Sequence, residues 1–283
     1  MVQQYAQQEL VVSTDEAAAL LHADNVRFVE VDVDTTAYEQ GRIPGAVGWN
    51  WTTQLTDQTT RDIVAKKAFE RLLGASGITP ETKVVLYGDN NNWFAAYAVW
   101  LLRYYGHDDV VLIDGGRAKW IAEERETTTE PVQVEPATYE ITKTRPELRA
   151  TRDDVFALLQ DDTPALVDVR SPDEYTGKVL APPGLSETAL RGGHIPGAIN
   201  VPWSQAVQED GTFKPPEALR ALYADVLDRD GPVVAYCRIG ERSSHTWFVL
   251  HHLLGVQDAK NYDGSWTEWG NLIGAPIRTG PEA

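Results

Sequence analysis

The stretch PVVAYCRIGERSSHTWFV, residues 232–249, contains the only cysteine of the chain, Cys237, with Arg238 beside it and Arg242 five positions on. A thiolate between guanidinium groups is a nucleophile, and these residue types suit covalent catalysis on an anionic substrate. Free cysteine titrates near ~8.5, and a helix N-terminus with neighbouring arginines lowers that by about one unit or more. Gly240 lets the loop turn tightly, and Ser243 or Ser244 can cap the helix that follows. Backbone N–H groups and the positive end of that helix would then face the sulfur. The expectation is a Cys237 thiolate stabilised by Arg238 and Arg242, with no histidine base required. Ile239, Gly240, Glu241 and Ser243 complete the loop. Glu241 is expected to face solvent or to pair with an arginine, because a carboxylate aimed at the sulfur would raise the thiol pKa. Most lone cysteines are inert core residues; two arginines and a serine cap at a strand end favour reactivity here.

The elements that must position this loop emerge from an internal repeat. VVLYGDNNNWFAAYAVWLLRYYG, ending at Gly106, matches VVAYCRIGERSSHTWFVLHHLLG, ending at Gly255. The shift of 149 positions that carries Tyr87 onto Tyr236 also carries Asp114, Gly115 and Trp120 onto Asp263, Gly264 and Trp269. Upstream, GRIPGAV (41–47) mirrors GHIPGAI (193–199), and STDEAAALL (13–21) mirrors TRDDVFALL (151–159). The last pair opens with S-x-x-E and T-x-x-D, which are helix-capping signals.

Short β-branched runs at 26–32, 83–87 and 110–114 recur at 165–169, 232–236 and 259–263. Helical patterns separate the last two runs in each copy, which calls for right-handed crossovers and a parallel sheet. The predicted architecture is α/β, with tandem duplicated domains, each a parallel sheet sandwiched by helices. Residues 1–126 form the first domain, the Thr-, Pro- and Glu-rich segment 127–147 a linker, and 148–283 the second domain. In an open parallel sheet, chemistry collects at the carboxyl ends of the strands. Cys237 stands there in the second copy; Gly88, followed by Asp89 and three asparagines, stands there in the first. The first copy is therefore read as catalytically silent.

The net charge of −17 leaves no basic footprint for nucleic acid or an anionic membrane. No basic, apolar leader opens the chain and no apolar run approaches ~18 residues, so a cytoplasmic protein without a membrane partner is expected. One cysteine cannot form an internal disulfide or a multi-thiolate zinc site. His251 and His252 are adjacent and cannot make an i, i+4 metal pair, so no metal or organic cofactor is expected. His245 lacks a third group to orient it for a Cys–His hydrolase. His194 and Arg42 hold matched repeat positions and suggest a shared role in the fold. Asp168, at a strand end, could hold Arg238 or Arg242 or simply cap its loop. Trp49 and Trp51 could wall a pocket, although packing is the simpler role for both.

A duplicated α/β domain, an N-terminal copy without cysteine, a C-terminal C-x-x-x-x-R loop and GHIPGA-type segments in both halves resemble the two-domain rhodaneses, the thiosulfate sulfurtransferases. The resemblance implies that Cys237 takes the sulfane sulfur of thiosulfate, releases sulfite, and passes sulfur from a persulfide to cyanide or to a small-molecule or protein thiol. It also implies that Arg242 binds the sulfonate end of the donor. The related 3-mercaptopyruvate sulfurtransferases carry a weakly charged C-G-S-G-V-T loop, so the arginines of CRIGER favour thiosulfate. Phosphatases and arsenate reductases on this fold need C-x5-R, and the sixth position after Cys237 is Ser243. A non-catalytic persulfide carrier or redox-sensing binding protein would use the same sulfur chemistry. Some relatives read L-D-S-G-H-I-R-G where this chain has LRGGHIPG; Arg191 replaces the acid, Pro196 replaces the arginine, and Arg191 becomes a secondary candidate for substrate contact.

Overall fold

The computed structural model describes residues 4–160, 164–182 and 187–282, which divide into two compact units. The first comprises Gln8–Arg145 with Glu209–Phe213, and the second comprises Pro146–Gln208 and the residues from Lys214 onward, with residues 4–7.

In the first unit, β1 (Val11–Val12), β2 (Val26–Asp32), β3 (Val47–Asn50), β4 (Lys83–Tyr87) and β5 (Val110–Ile113) form a parallel sheet in the order β1-β5-β4-β2-β3. The central strand β4 is buried from Val84 to Tyr87, as an unbroken apolar run requires when helices cover both faces of a sheet. The largest of these helices, Trp93–Tyr104, is apolar nearly all round because it is almost wholly enclosed.

The second unit repeats the plan. β6 (Leu166–Asp168), β7 (Ile199–Asn200), β8 (Val234–Tyr236) and β9 (Lys260–Tyr262) are parallel in the order β7-β6-β8-β9, matching β3-β2-β4-β5. A parallel bridge from Arg149 to Asn261 stands where Val11 meets Leu112 in the first copy. Its core gathers Leu166, Val234, Tyr236, Tyr262, Trp266 and Trp269.

The duplication extends to individual hydrogen bonds. Tyr87 and Tyr236 each accept, at 3.1 Å, the backbone N–H of the isoleucine in the IPGA segment, Ile43 or Ile195. Tyr38 donates to the Ala46 carbonyl at 2.9 Å, and Tyr175 to that of Ala198 at 2.8 Å. The indoles of Trp120 and Trp269 both donate at 2.9 Å to carbonyls just downstream, Glu126 and Pro276. Arg42 bridges antiparallel to Thr128 and His194 to Arg278, so these matched positions tie the following segment back onto each domain. Both anticipated capping boxes form, at Ser13 with Glu16 and at Thr151 with Asp154.

The segment read as a linker is free of helix until the short turn Pro146–Leu148, and the part around Ala137–Ile141 lies along the first unit. Ala137 N–H donates to the Gly74 carbonyl at 2.8 Å, Ile141 N–H donates to Glu70 at 3.0 Å, and Tyr139 and Ile141 are buried. Trp49 and Trp51 also pack within the first unit, on Phe69 and on Phe94 with Tyr97. No helix of the described residues is long and apolar enough to cross a membrane.

Candidate active site

Strand β8 ends at Tyr236 and delivers Cys237 into a fully enclosed position. The loop is pinned to the turn after β9: Cys237 N–H donates to Ser265 Oγ at 3.0 Å, and the Cys237 carbonyl accepts the Trp266 N–H at 3.0 Å. Gly240 reverses the chain at φ +100°, where a Cβ would lie 2.9 Å from the backbone of Asp263. Only glycine fits. Its N–H is thereby aimed at Sγ, 3.1 Å away, with the hydroxyls of Ser243 and Ser265 at 3.6 and 3.9 Å.

The helix Glu241–Phe248 begins directly after this turn and continues into a π-helical turn, Val249–Leu253. No serine caps it, contrary to expectation. Gly240 occupies the cap position, and Ser243 and Ser244, already inside the first turn, donate back to the Gly240 carbonyl at 3.1 and 2.6 Å. Ser243 also donates to Asn261 at 2.7 Å, so β9 helps to hold its hydroxyl near the sulfur.

Glu241 meets arginines, as expected, but is enclosed and also faces the sulfur. The first helical turn is enclosed, so this residue is 2% exposed and its Oε2 lies 3.2 Å from Cys237 Sγ as acceptor for the thiol proton. Its other oxygen is 3.8 Å from Arg238 and 3.6 Å from Arg242. Burial pushes the Cys237 thiol above its usual pKa and the Glu241 charge adds to this, against opposition from Arg242 and Ser243. A raised thiol pKa runs against the thiolate expected from the loop sequence.

The arginines take different positions. Arg242 is clamped by Glu174, each terminal nitrogen 3.0 Å from a carboxylate oxygen. Arg238 donates to the Glu187 carbonyl, while its buried Nε has no partner among the described residues. Ile239 is buried beside them. Asp168 holds neither: its partner is Arg170, with Nε and N both 3.0 Å from Oδ1, and Arg170 lies 4.4 Å above the Trp266 ring. Arg191 serves as a staple, donating to the carbonyls of Gly270, Ala275 and Trp269 at 3.0, 3.2 and 3.3 Å. His194 is likewise structural, with its nitrogens 2.9 Å from the Tyr175 and Glu282 carbonyls and its ring stacked 3.7 Å from Tyr175.

Sequence reasoning missed Glu174, Arg170 and Ser265. An S-x-x-E capping signal at 171–174, directly after a strand end, pointed to Glu174; the others have no local signature. In the first unit, a Cβ on Gly88 would lie 2.5 Å from the Val31 carbonyl, and Asn92 accepts the Gly88 N–H at 3.0 Å. The position matching the thiol is thus closed by backbone and by an asparagine. Among the described residues no group of three or more His, Cys, Asp or Glu could hold a metal ion.

Fold and site together define a duplicated parallel α/β protein with a cysteine-centred loop in its second copy. The rhodanese-like domain family matches residues 13–123 and 151–272, and the chain belongs to that family of sulfurtransferases. It is 55% identical over 255 residues to a Haloferax volcanii protein named "Putative thiosulfate sulfurtransferase", covering 90% of this chain and 89% of that one. It is 50% identical over 283 residues to the "Sulfur carrier protein TtuD" of Thermus thermophilus, covering 98% and 99%. Among solved structures it resembles the anaerobic ergothioneine biosynthesis enzyme from Chlorobium limicola bound to trimethyl histidine, at 26% identity and a TM-score of 0.86, covering 99% of this chain and 72% of that one.

Proposed function

We propose that this protein transfers the sulfane sulfur of thiosulfate through a persulfide on Cys237. The sulfur of Cys237 attacks the outer sulfur of thiosulfate, the S–S bonding pair departs with sulfite, and the persulfide then gives its outer sulfur to cyanide or to a small-molecule or protein thiol. The supporting observation is an enclosed sulfur 3.1 Å from the Gly240 N–H, with the Ser243 and Ser265 hydroxyls at 3.6 and 3.9 Å able to turn toward it. These donors suit the negative charge of a persulfide. Arg238 is the better candidate for the sulfonate, because its buried Nε awaits an acceptor, whereas Arg242, held by Glu174, contributes fixed positive charge. The chemistry is assigned to residues 148–283, with 1–126 silent and 127–147 joining them, in a cytoplasmic protein whose one free thiol suits a reducing compartment.

A second reading, that the persulfide is carried to a protein partner, has support from the relative named a sulfur carrier. The assay is sulfite release from thiosulfate with cyanide as acceptor, run beside 3-mercaptopyruvate as donor. Turnover with thiosulfate that vanishes in Cys237→Ala supports the proposal. Thiosulfate turnover that survives in Cys237→Ala would overturn it, and persulfide formation without turnover to cyanide would favour the carrier. Preference for 3-mercaptopyruvate would replace the donor.

A further inference from the structure

The loop holds a second ionisable group that none of this chemistry has used. Glu241 is enclosed and its Oε2 is 3.2 Å from Sγ, with the Gly240 N–H donating at 3.1 Å and two serine hydroxyls further out at 3.6 and 3.9 Å. Each serine hydroxyl has a single proton with a shorter contact elsewhere, Ser243 to Asn261 at 2.7 Å and Ser265 to the Tyr262 carbonyl at 2.7 Å. Among the described residues, the carboxylate that the thiol proton meets is Glu241. We infer that Cys237 and Glu241 form a catalytic dyad that shares one proton, with Glu241 taking the thiol proton as the sulfur attacks.

This rests on Cys237 being the nucleophile. In the thiosulfate reaction the S–H bond breaks as Oε2–H forms, Sγ bonds to the outer sulfur, and sulfite leaves with the S–S electron pair. The neutral thiol, the carboxylate and the thiosulfate dianion become a persulfide anion, a carboxylic acid and a sulfite dianion. The net charge of the site does not change. Without the dyad, the thiol would have to send its proton to solvent from an enclosed position before any attack.

The charged surroundings fit a shared proton. On the loop and its helix, Arg238 and Arg242 flank the far oxygen of Glu241. From the helix Pro172–Thr176, Glu174 faces Arg242 and partly offsets it. From the turn after β9, Asp263 approaches Gly240 but is paired with Arg149, at 2.7 Å. The arginines lie beside the carboxylate and the Gly240 N–H faces Sγ, so negative charge is met by a donor or a cation at either end of the transfer.

Two groups that share one proton titrate as a pair, and the singly protonated form persists between two macroscopic pKa values. Attack by that form is independent of pH across the interval. The chain has one cysteine, so alkylation by iodoacetamide, followed by mass spectrometry, reports this sulfur without requiring sulfur transfer. The wild-type rate constant is expected to change less than about twofold from pH 6 to 8.5, whereas that of Glu241→Gln should rise about tenfold per pH unit until its thiol ionises. A wild-type rate that climbs tenfold per unit through the same range would overturn the dyad and leave Glu241 as a repelling charge. Equal profile shapes in the two proteins would also overturn it. The wild-type profile decides the matter even if the variant folds poorly. Loss of thiosulfate turnover with a flat wild-type alkylation profile would count against the proposed function and not against the dyad.

Discussion

Arg242 and Glu174 meet as two parallel hydrogen bonds, each 3.0 Å long, within a pocket where the arginine is 5% and the glutamate 1% exposed. The loop arginine is thereby tied to a helix 68 residues away in sequence, and Glu174 also closes the capping box of that helix on Ser171. Two-pronged pairing of this kind fixes orientation as well as charge.

Glu174→Gln should therefore lower stability at neutral pH by less than the ~3–5 kcal/mol that breaking a buried ion pair costs, because Arg242 keeps Glu241 at 3.6 Å. Burial alone would raise the Glu174 pKa, but Arg242 and the Ser171 cap bring it below its ordinary value near 4.5. A depressed carboxylate contributes stability above its unfolded pKa and loses it as pH falls through the folded one. Urea melts of wild type and variant should differ fully at pH 7 and draw together below about pH 4.5.

Arg238→Ala and Arg242→Ala should separate binding from stability. Truncating Arg238 removes a donor whose Nε has no partner among the described residues, and is expected to raise KM for thiosulfate about tenfold with a smaller fall in Tm than Arg242→Ala gives. Truncating Arg242 strands Glu174 and should lower Tm by several degrees. Steady-state kinetics alongside thermal melts would test the split; equal effects on KM and Tm in both variants would refute it.

Gly240→Ala would force a Cβ to within 2.9 Å of Asp263 backbone at a φ of +100°. The loop must shift to relieve the contact, so the N–H to sulfur bond is lost together with about 1–3 kcal/mol of stability. Chemical denaturation and the alkylation rate of Cys237 should change together. An active, fully stable variant would mean that the turn does not set the sulfur's surroundings.

Asp32 offers a test in the first unit. Burial, with the charges of Asp89 and Glu30 behind it, pushes its carboxyl up to about 8 from an ordinary value of 3.8. A folded pKa above the unfolded one means that this group favours the fold below about pH 4 and that the benefit is lost as pH rises through about 8. Asp32→Asn removes the ionisation, so its stability relative to wild type should increase steadily from pH 4 to pH 8, as followed by urea unfolding.

Much of the architecture could be read from local pattern. The repeat preserved strand spacing, the glycine turns and the tyrosine that ends each central strand, because each of these depends on neighbours a few residues away. Gly88 opposite Cys237 marked which copy carries a thiol, and Arg242 at the fifth position set the loop length. The role of Arg191 could not be read in this way, since it reaches carbonyls about 80 residues distant; Asp168 has its partner two residues on, but nothing local ranked Arg170 above Arg238 and Arg242. Sequence places a charge at a strand end without saying which opposite charge or carbonyl will reach it.

The same division holds at the sulfur. The sequence alone determined that a single nucleophilic residue follows a central strand, that a glycine turn and a helix come next, and that a domain of this kind occurs twice. Tertiary structure decided the electrostatics. Enclosure of the first helical turn sends Glu241 inward to Cys237 and Glu174 across to Arg242, because buried charges must find partners and solvent is not among those available. That choice depends on the packing of distant elements around four loop residues, and it sets the Glu241 carboxylate 3.2 Å from the sulfur.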